Sequence, residues 1–412
     1  MISEKEAELI IERLIQRVQK ANIYFLKEIG NSVKQIRELT PSEAHKLVQM
    51  LKYGGTYEEI IREISKYTNL NIKEVEDIFE IYAKKDAQFS KKFFEYRNIP
   101  FESFIQNKAL KQEKKTLIKL FQNQMYNYTR PNILGYTIKD LKGNVQFLGL
   151  KETYNRVLDE ALVNVDEGIE TFDSAMSNIL KQIGGSGLKT IEYESGRSVR
   201  LDSVIRMHMQ DGTTQIHNIN QEAFGEQFKA DGIEISVHEV PAPDHALVQG
   251  RQFRKEEFEK FQTDKDCKSY DGIEFPATSE ETGYDRRSIG QYNCYHKIYP
   301  IIIGVSKPNY TNEQLQKIID ESQKEIEIDG KKYNKYQCSQ IQRRLERQIR
   351  EQKDIQILGK SSNNEEMIYD AQAKITQLTH KYKEVSDKAG LQMKIDRLQV
   401  EGYRKVATKN KK

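Results

Sequence analysis

The sequence predicts a mainly helical α+β protein in which a helical N-terminal domain and a long C-terminal helical hairpin flank a central domain with a small sheet. Three observations carry this. Helix-start signals recur in register with apolar residues through the first 130 residues. The middle of the chain alternates β-branched runs with Gly and Pro, and from Asn334 onward the sequence is almost free of both. The expected domains are residues 1–130, 131–308 and 309–412, the last ending in a basic tail.

In the first stretch, Ser3 with Glu6, Thr40 with Glu43, Thr56 with Glu59 and Asn71 with Glu74 each offer a capping oxygen and a carboxylate three residues later. Pro41 suits a first helical position, where its missing N–H costs nothing, and Gly54-Gly55 ends that helix. His45 stands alone, so this region reads as scaffold. Pro100 and Pro131 break the helical run, and the alternation around Gly143-Asn144 predicts a hairpin. Thr153 is the expected cap of one long amphipathic helix reaching Ile183 and closed by Gly184-Gly185-Ser186-Gly187. Residues 198–230 continue helical; Ile233 to Val237 then forms a strand that delivers His238 at its end. Asn312 to Ile326 is helical, Asp329-Gly330 is a hairpin-like turn, and Ser361 to Asn364 joins the two helices of the terminal hairpin, with a short piece after Gly390. Ala407 to Lys412 is expected to fray.

Composition narrows the function classes. Charged residues are 31% against 37% hydrophobic, so much of the chain is helix surface, and a chain of 412 residues divides among two or three cores. Three scattered cysteines, Cys267, Cys294 and Cys338, give no disulfide framework and suit a reducing compartment. The acidic start MISEKEAELI lacks the basic region and apolar run of an export signal, and no segment is apolar enough for a membrane span, so the chain reads as soluble and made in the cytoplasm. There is no G-x-x-x-x-G-K-[ST] or G-x-G-x-x-G phosphate cradle, which excludes a nucleotide-driven motor.

Unusual chemistry collects between His238 and Pro300. His238, His245, Cys294 and His296 are side chains of zinc-ligand type, and a structural zinc takes four such ligands. The spacings His-x6-His and Cys-x-His differ from common zinc ribbons, and the competing reading is a set of hydrogen-bonded histidines that pin loops to the core. A Cys294 nucleophile with an Asp244-oriented His245 is disfavoured, because sequence neighbours point to different faces. Glu194, Arg197 and Arg200 are expected as solvated charges at a helix start. The strongest charge bias runs from Lys331 to Lys353, where Arg343, Arg344, Arg347 and Arg350 form a basic face for phosphates or an acidic protein; its alternative is a solvated surface paired locally with Glu346 and Glu351.

These residues resemble the phage minor capsid protein 2 family, more distantly the F-like head morphogenesis proteins. The resemblance rests on Tyr193-Glu194-Ser195-Gly196-Arg197 leading to Arg206, on His238 to Gly250 ending in Gln-Gly-Arg, and on Thr282-Gly283-Tyr284 before Asn293-Cys294-Tyr295-His296 and Pro300. It continues in Tyr336, Gln340 and the run Gln342 to Arg350. The resemblance implies a low-copy structural protein of a tailed-phage virion, placed at the portal vertex or inside the head, with the portal protein, the major capsid protein and packaged double-stranded DNA as partners and no established reaction. Many relatives carry paired cysteines where this chain has His238 and the Pro241 to His245 stretch, so the resemblance leaves open whether those histidines replace them around a structural zinc. A zinc-dependent hydrolase or nuclease acting during infection, with Asp244 or Glu239 as general base, is the alternative class. An ADP-ribosyltransferase ranks below it, since no nicotinamide-site pattern is found.

Overall fold

The computed structural model describes residues 4–69, 72–101, 108–140, 142–168, 171–192, 195–277, 287–290 and 294–407. It is 65% helical with small antiparallel sheets, the mainly helical α+β class that the sequence predicts. The chain forms two compact units, each assembled from three separate stretches: residues 1–10, 71–122 and 207–340 in the first, and 11–70, 123–206 and 341–412 in the second. The units therefore do not follow the three consecutive stretches read from the sequence. Four of their five boundaries fall inside the helices Glu4–Arg37, Lys108–Thr129, Leu201–Gln227 and Lys335–Ser361, where no Pro or Gly marks a break, and the fifth lies between residues 70 and 71.

The second unit is built on a four-stranded antiparallel sheet in the order Val145–Gly149, Leu134–Lys139, Lys189–Ile191, Ser198–Arg200. The first pair is the hairpin expected around Gly143-Asn144, with Tyr136 opposite Leu148 and Thr137 opposite Phe147. Its core stacks Phe25 on Tyr136 at 5.2 Å, and the Tyr136 hydroxyl donates to Asn22 Oδ1 at 3.0 Å, so the buried phenol is satisfied. The expected long helix from Thr153 is two helices, Leu150–Asp166 and Phe172–Ser186, with Gly168 at a φ of +62° between them. Thr153 is no cap: its hydroxyl donates to Gly149 O at 2.9 Å, one turn back, and the Glu152 carboxylate accepts from Gly149 N at 3.1 Å. Thr40 and Glu43 do form the expected reciprocal start, while the proposed starts at Ser3 and Asn71 lie outside the described residues.

The terminal hairpin is as expected. Lys335–Ser361 turns at Asn364, whose side chain accepts from Met367 N at 2.9 Å, into Glu365–Ala389, which Gly390 closes in the left-handed conformation. Within the second unit the two helices run antiparallel, with Gln342 donating to Ser386 and Gln356 donating to Gln372.

In the first unit, the strands Gln252–Arg254 and Ile298–Ile301 flank Gly232–Ile235, all antiparallel. Two apolar clusters support them: Phe94, Phe224, Phe228 and Ile302, and Ile235, Phe253, Phe258, Phe261 and Phe275. Each such buried phenylalanine contributes on the order of 1.5–3 kcal/mol. Residues 198–230 are not all helix, since Ser198–Arg200 is a strand and the helix begins at Leu201. His217 on this helix donates from Nε2 to Ile298 O, 3.2 Å away, and its Nδ1 bonds Asp86 Oδ1 at 2.7 Å, so it ties the helix Ile72–Arg97 to a strand end.

Candidate functional site

The central strand Gly232–Ile235 ends beside the strand Ile298–Ile301, and paired contacts extend beyond both: Ser236 N donates to Lys297 O and Lys297 N to Ser236 Oγ, each at 2.8 Å. This pairing places His238 and His296 side by side. Pro243 at the first position of the short helix Pro243–Ala246 turns the chain so that His245 points inward and is 3% exposed. Gly250, at a φ of +73°, then reverses the chain into the edge strand; a Cβ there would lie 2.4 Å from Leu315 Cδ2.

Three of the four predicted ligand-type side chains converge. Cys294 Sγ lies 3.5 Å from His245 Nδ1 and 3.5 Å from His296 Nδ1, and the three atoms fall within 4.8 Å of one another. His238 is not part of this group. Its Nδ1 accepts from Val240 N at 3.1 Å and its ring stacks on Tyr295 at 5.1 Å. The expected four-residue set is therefore a trio with His238 alongside, because a strand end that aims His296 inward turns His238 back onto its own loop. Of the residues in the resemblance, Tyr193, Glu194, Thr282, Gly283, Tyr284 and Asn293 lie outside the described residues.

The far nitrogen of each histidine is fixed by an acceptor. His245 Nε2 is 2.9 Å from Arg287 O, a carbonyl that can only accept, so Nε2 carries the proton and Nδ1 presents a lone pair to Cys294. His296 Nε2 is 3.2 Å from Gln249 Oε1. That amide cannot be the other way round, since the same oxygen accepts from His238 N at 2.8 Å. His296 Nε2 is thus also a donor and its Nδ1 a lone pair toward the sulfur. Burial pushes His245 below the ordinary histidine range, and burial with the neighbouring histidines takes His296 down to about 3, so both shifts favour the neutral ring.

The same geometry argues against nucleophilic or general-base work. Burial raises the Cys294 thiol above its ordinary value despite the N–H groups of Gly290 and His296 directed at it, and the two imidazoles facing the sulfur, His245 and His296, are both shifted toward the neutral form. For Asp244, burial pushes the carboxyl up, but the bonds from Arg287 at 2.7 and 2.8 Å outweigh it and leave the group below the usual carboxylate range, a poor base. Glu239, the other base considered, faces Lys335 at 3.1 Å on the surface.

The basic face is smaller than the sequence predicts. Arg344 and Arg347 are exposed and Arg343 is half-buried, but Arg350 is only 5% exposed. Arg350 Nε bonds Asp202 Oδ2 at 3.1 Å and its Nη1 bonds Arg397 O at 2.8 Å, because the segment after Gly390 folds over this turn of the helix. Glu346 is likewise internal, accepting from the Tyr382 hydroxyl at 3.0 Å. Arg200, expected as a solvated charge, is buried in the same network and bonds Asp202 at 3.3 Å and Asp354 at 3.0 Å. Sequence reasoning missed this group of Arg200, Asp202, Arg350 and Asp354; the Arg350 and Asp354 pair four apart on one helix was its only local signal.

Among the described residues no helix is long and apolar enough to cross a membrane. The family model described as phage minor capsid protein 2 matches residues 2–385 of the chain. No curated protein and no solved structure matches it.

Proposed function

This chain belongs to the phage minor capsid protein 2 family, and from that premise we propose that it is a structural, non-enzymatic protein of a tailed-phage head, present in few copies, docked on the portal protein and the inner face of the major capsid shell, and close to packaged DNA. The observation that carries this reading is the extent of the family match, which takes in nearly all of both compact units. The chemistry of the central region agrees with it: burial favours the protonated thiol and the neutral histidines, and Arg287 pairs with Asp244, an arrangement that orders loops without its side chains supplying a base or nucleophile.

DNA contact, in this reading, falls to Arg343, Arg344 and Arg347. Three neutralised phosphates give a slope of log affinity against log salt no steeper than about −2.7, at about 0.9 per phosphate. The test of placement is cross-linking mass spectrometry on purified particles. Cross-links from this chain to the portal protein support the proposed docking, whereas cross-links confined to external shell surfaces contradict it.

A further inference from the structure

We propose that His245, Cys294 and His296 supply three ligands to a thiophilic divalent cation, zinc foremost. The inference does not depend on where the protein sits in the particle.

Ligand spacing is the first support. A zinc with bonds of about 2.0–2.1 Å to nitrogen and about 2.3 Å to sulfur, at tetrahedral angles, holds nitrogen and sulfur about 3.6 Å apart. The two sulfur-to-nitrogen distances here are both 3.5 Å. The three atoms lie within 4.8 Å of one another, and binding draws the two ring nitrogens to the roughly 3.3 Å that such bonds at tetrahedral angles require.

Tautomers give the second support. Arg287 O and Gln249 Oε1 each hold the far N–H of one ring, so both Nδ1 lone pairs face the sulfur. Outer partners of this kind fix ligating histidines in metal centres. A hydrogen-bonded trio explains the arrangement less well, because one S–H supplies a single proton to two facing lone pairs. A cation satisfies both rings and the sulfur together, and the N–H groups of Gly290 and His296 directed at the sulfur suit a bound thiolate.

Among the described residues no fourth side chain of ligand type joins the trio. Asp244 lies on the Nε2 side of His245, 3.6 Å from that nitrogen and held by Arg287, away from the converging lone pairs. His238 spends its Nδ1 on Val240 N. Soft sulfur with two imidazoles selects zinc over magnesium or calcium, which require oxygen ligands.

The experiment uses the full-length chain, stripped with chelator and titrated with Co²⁺ and then Zn²⁺. One Co²⁺ per chain with a thiolate-to-cobalt charge-transfer band and tetrahedral absorption, displaced by Zn²⁺ with a rise in melting temperature, is the expected result. Cys294→Ser removes the charge-transfer band, Gln249→Ala weakens zinc binding by about 10- to 100-fold as loss of an outer partner does, and His238→Ala keeps one metal per chain. Circular dichroism confirms that each variant is folded; if Cys294→Ser does not fold, the wild-type titration decides alone. A folded wild-type chain that shows no charge-transfer band and no melting shift overturns the site, and loss of metal from folded His238→Ala overturns the ligand set.

Discussion

Each unit buries a polar cluster, and the two are opposites. In the second unit Arg200, Asp202, Arg350 and Asp354 pair charge with charge, and the long cationic arms also reach a main-chain carbonyl at Arg397. In the first unit His245, Cys294 and His296 are neutral, and their lone pairs point at one another. A charged cluster that balances itself has nothing left to bind, and removing a member strands an uncompensated charge. A neutral cluster with acceptors facing inward loses little when one member changes, and keeps a capacity for a cation. The charged cluster holds its unit together, and the neutral one is where we propose that a cation binds.

The largest expected effect tests the charged cluster. Arg350→Ala leaves Asp202 buried with its partner removed and should destabilise the protein by about 3–5 kcal/mol, read by chemical denaturation; a loss under 1 kcal/mol would mean that the network is no clamp. A second test is pH dependence. Burial raises Asp354 to about 6, ahead of the opposing pull of Arg200. With an unfolded value near 3.9, the folded state binds the extra proton between these limits, so this group's contribution falls as pH rises from about 4 to about 6. Asp202 works the other way: burial raises it, yet Arg200 and Arg350 overcome that and hold it far below the ordinary range, so its contribution is lost as pH falls below about 4. Asp354→Asn should flatten the loss between pH 4 and 6 in equilibrium unfolding and leave the acid limb; an unchanged profile would refute the assignment.

The neutral cluster should respond more weakly. Without metal, Cys294→Ser exchanges one neutral hydrogen-bonding group for another and should cost no more than about 1.5 kcal/mol, measured in chelator; a loss as large as that of Arg350→Ala would erase the contrast between the clusters. Smallest of all, Arg344→Ala and Arg347→Ala should each stay within about 0.5 kcal/mol of wild type in stability, as exposed residues do, while reducing the salt slope of DNA binding by about 1 apiece. A large stability loss at either would show that the exposed face carries the fold.

How much of this was legible in the sequence differs between the same two clusters. His245, Cys294 and His296 stand out by residue type, since histidines and a cysteine are scarce in a chain this charged, and the strand ending before His238 was readable from its β-branched run. Which of the four converge was not readable, because it depends on a two-residue strand extension through Ser236 and Lys297. Gln249 was visible only as part of a Gln-Gly-Arg motif; its role in fixing a tautomer needs the His238 N–H beside it. The charged cluster was misread because arginines at helical spacing look alike whether water or a distant segment covers them. Arg343 and Arg347 lie one turn apart on the same stripe as Arg350, and it is Arg350 that is buried and donates to a carbonyl of the chain returning after Gly390. Unit boundaries were hidden for a related reason: four of the five fall inside continuous helices, and local punctuation by Pro and Gly records where elements end.

The measurement closest to the central claim is quantitative mass spectrometry of this protein in purified mature particles, in DNA-free precursor heads and in infected-cell lysate. The account predicts a few copies per particle, in fixed ratio to the portal protein, in both mature and precursor heads. Absence from both kinds of particle, with the protein abundant in lysate, would contradict it.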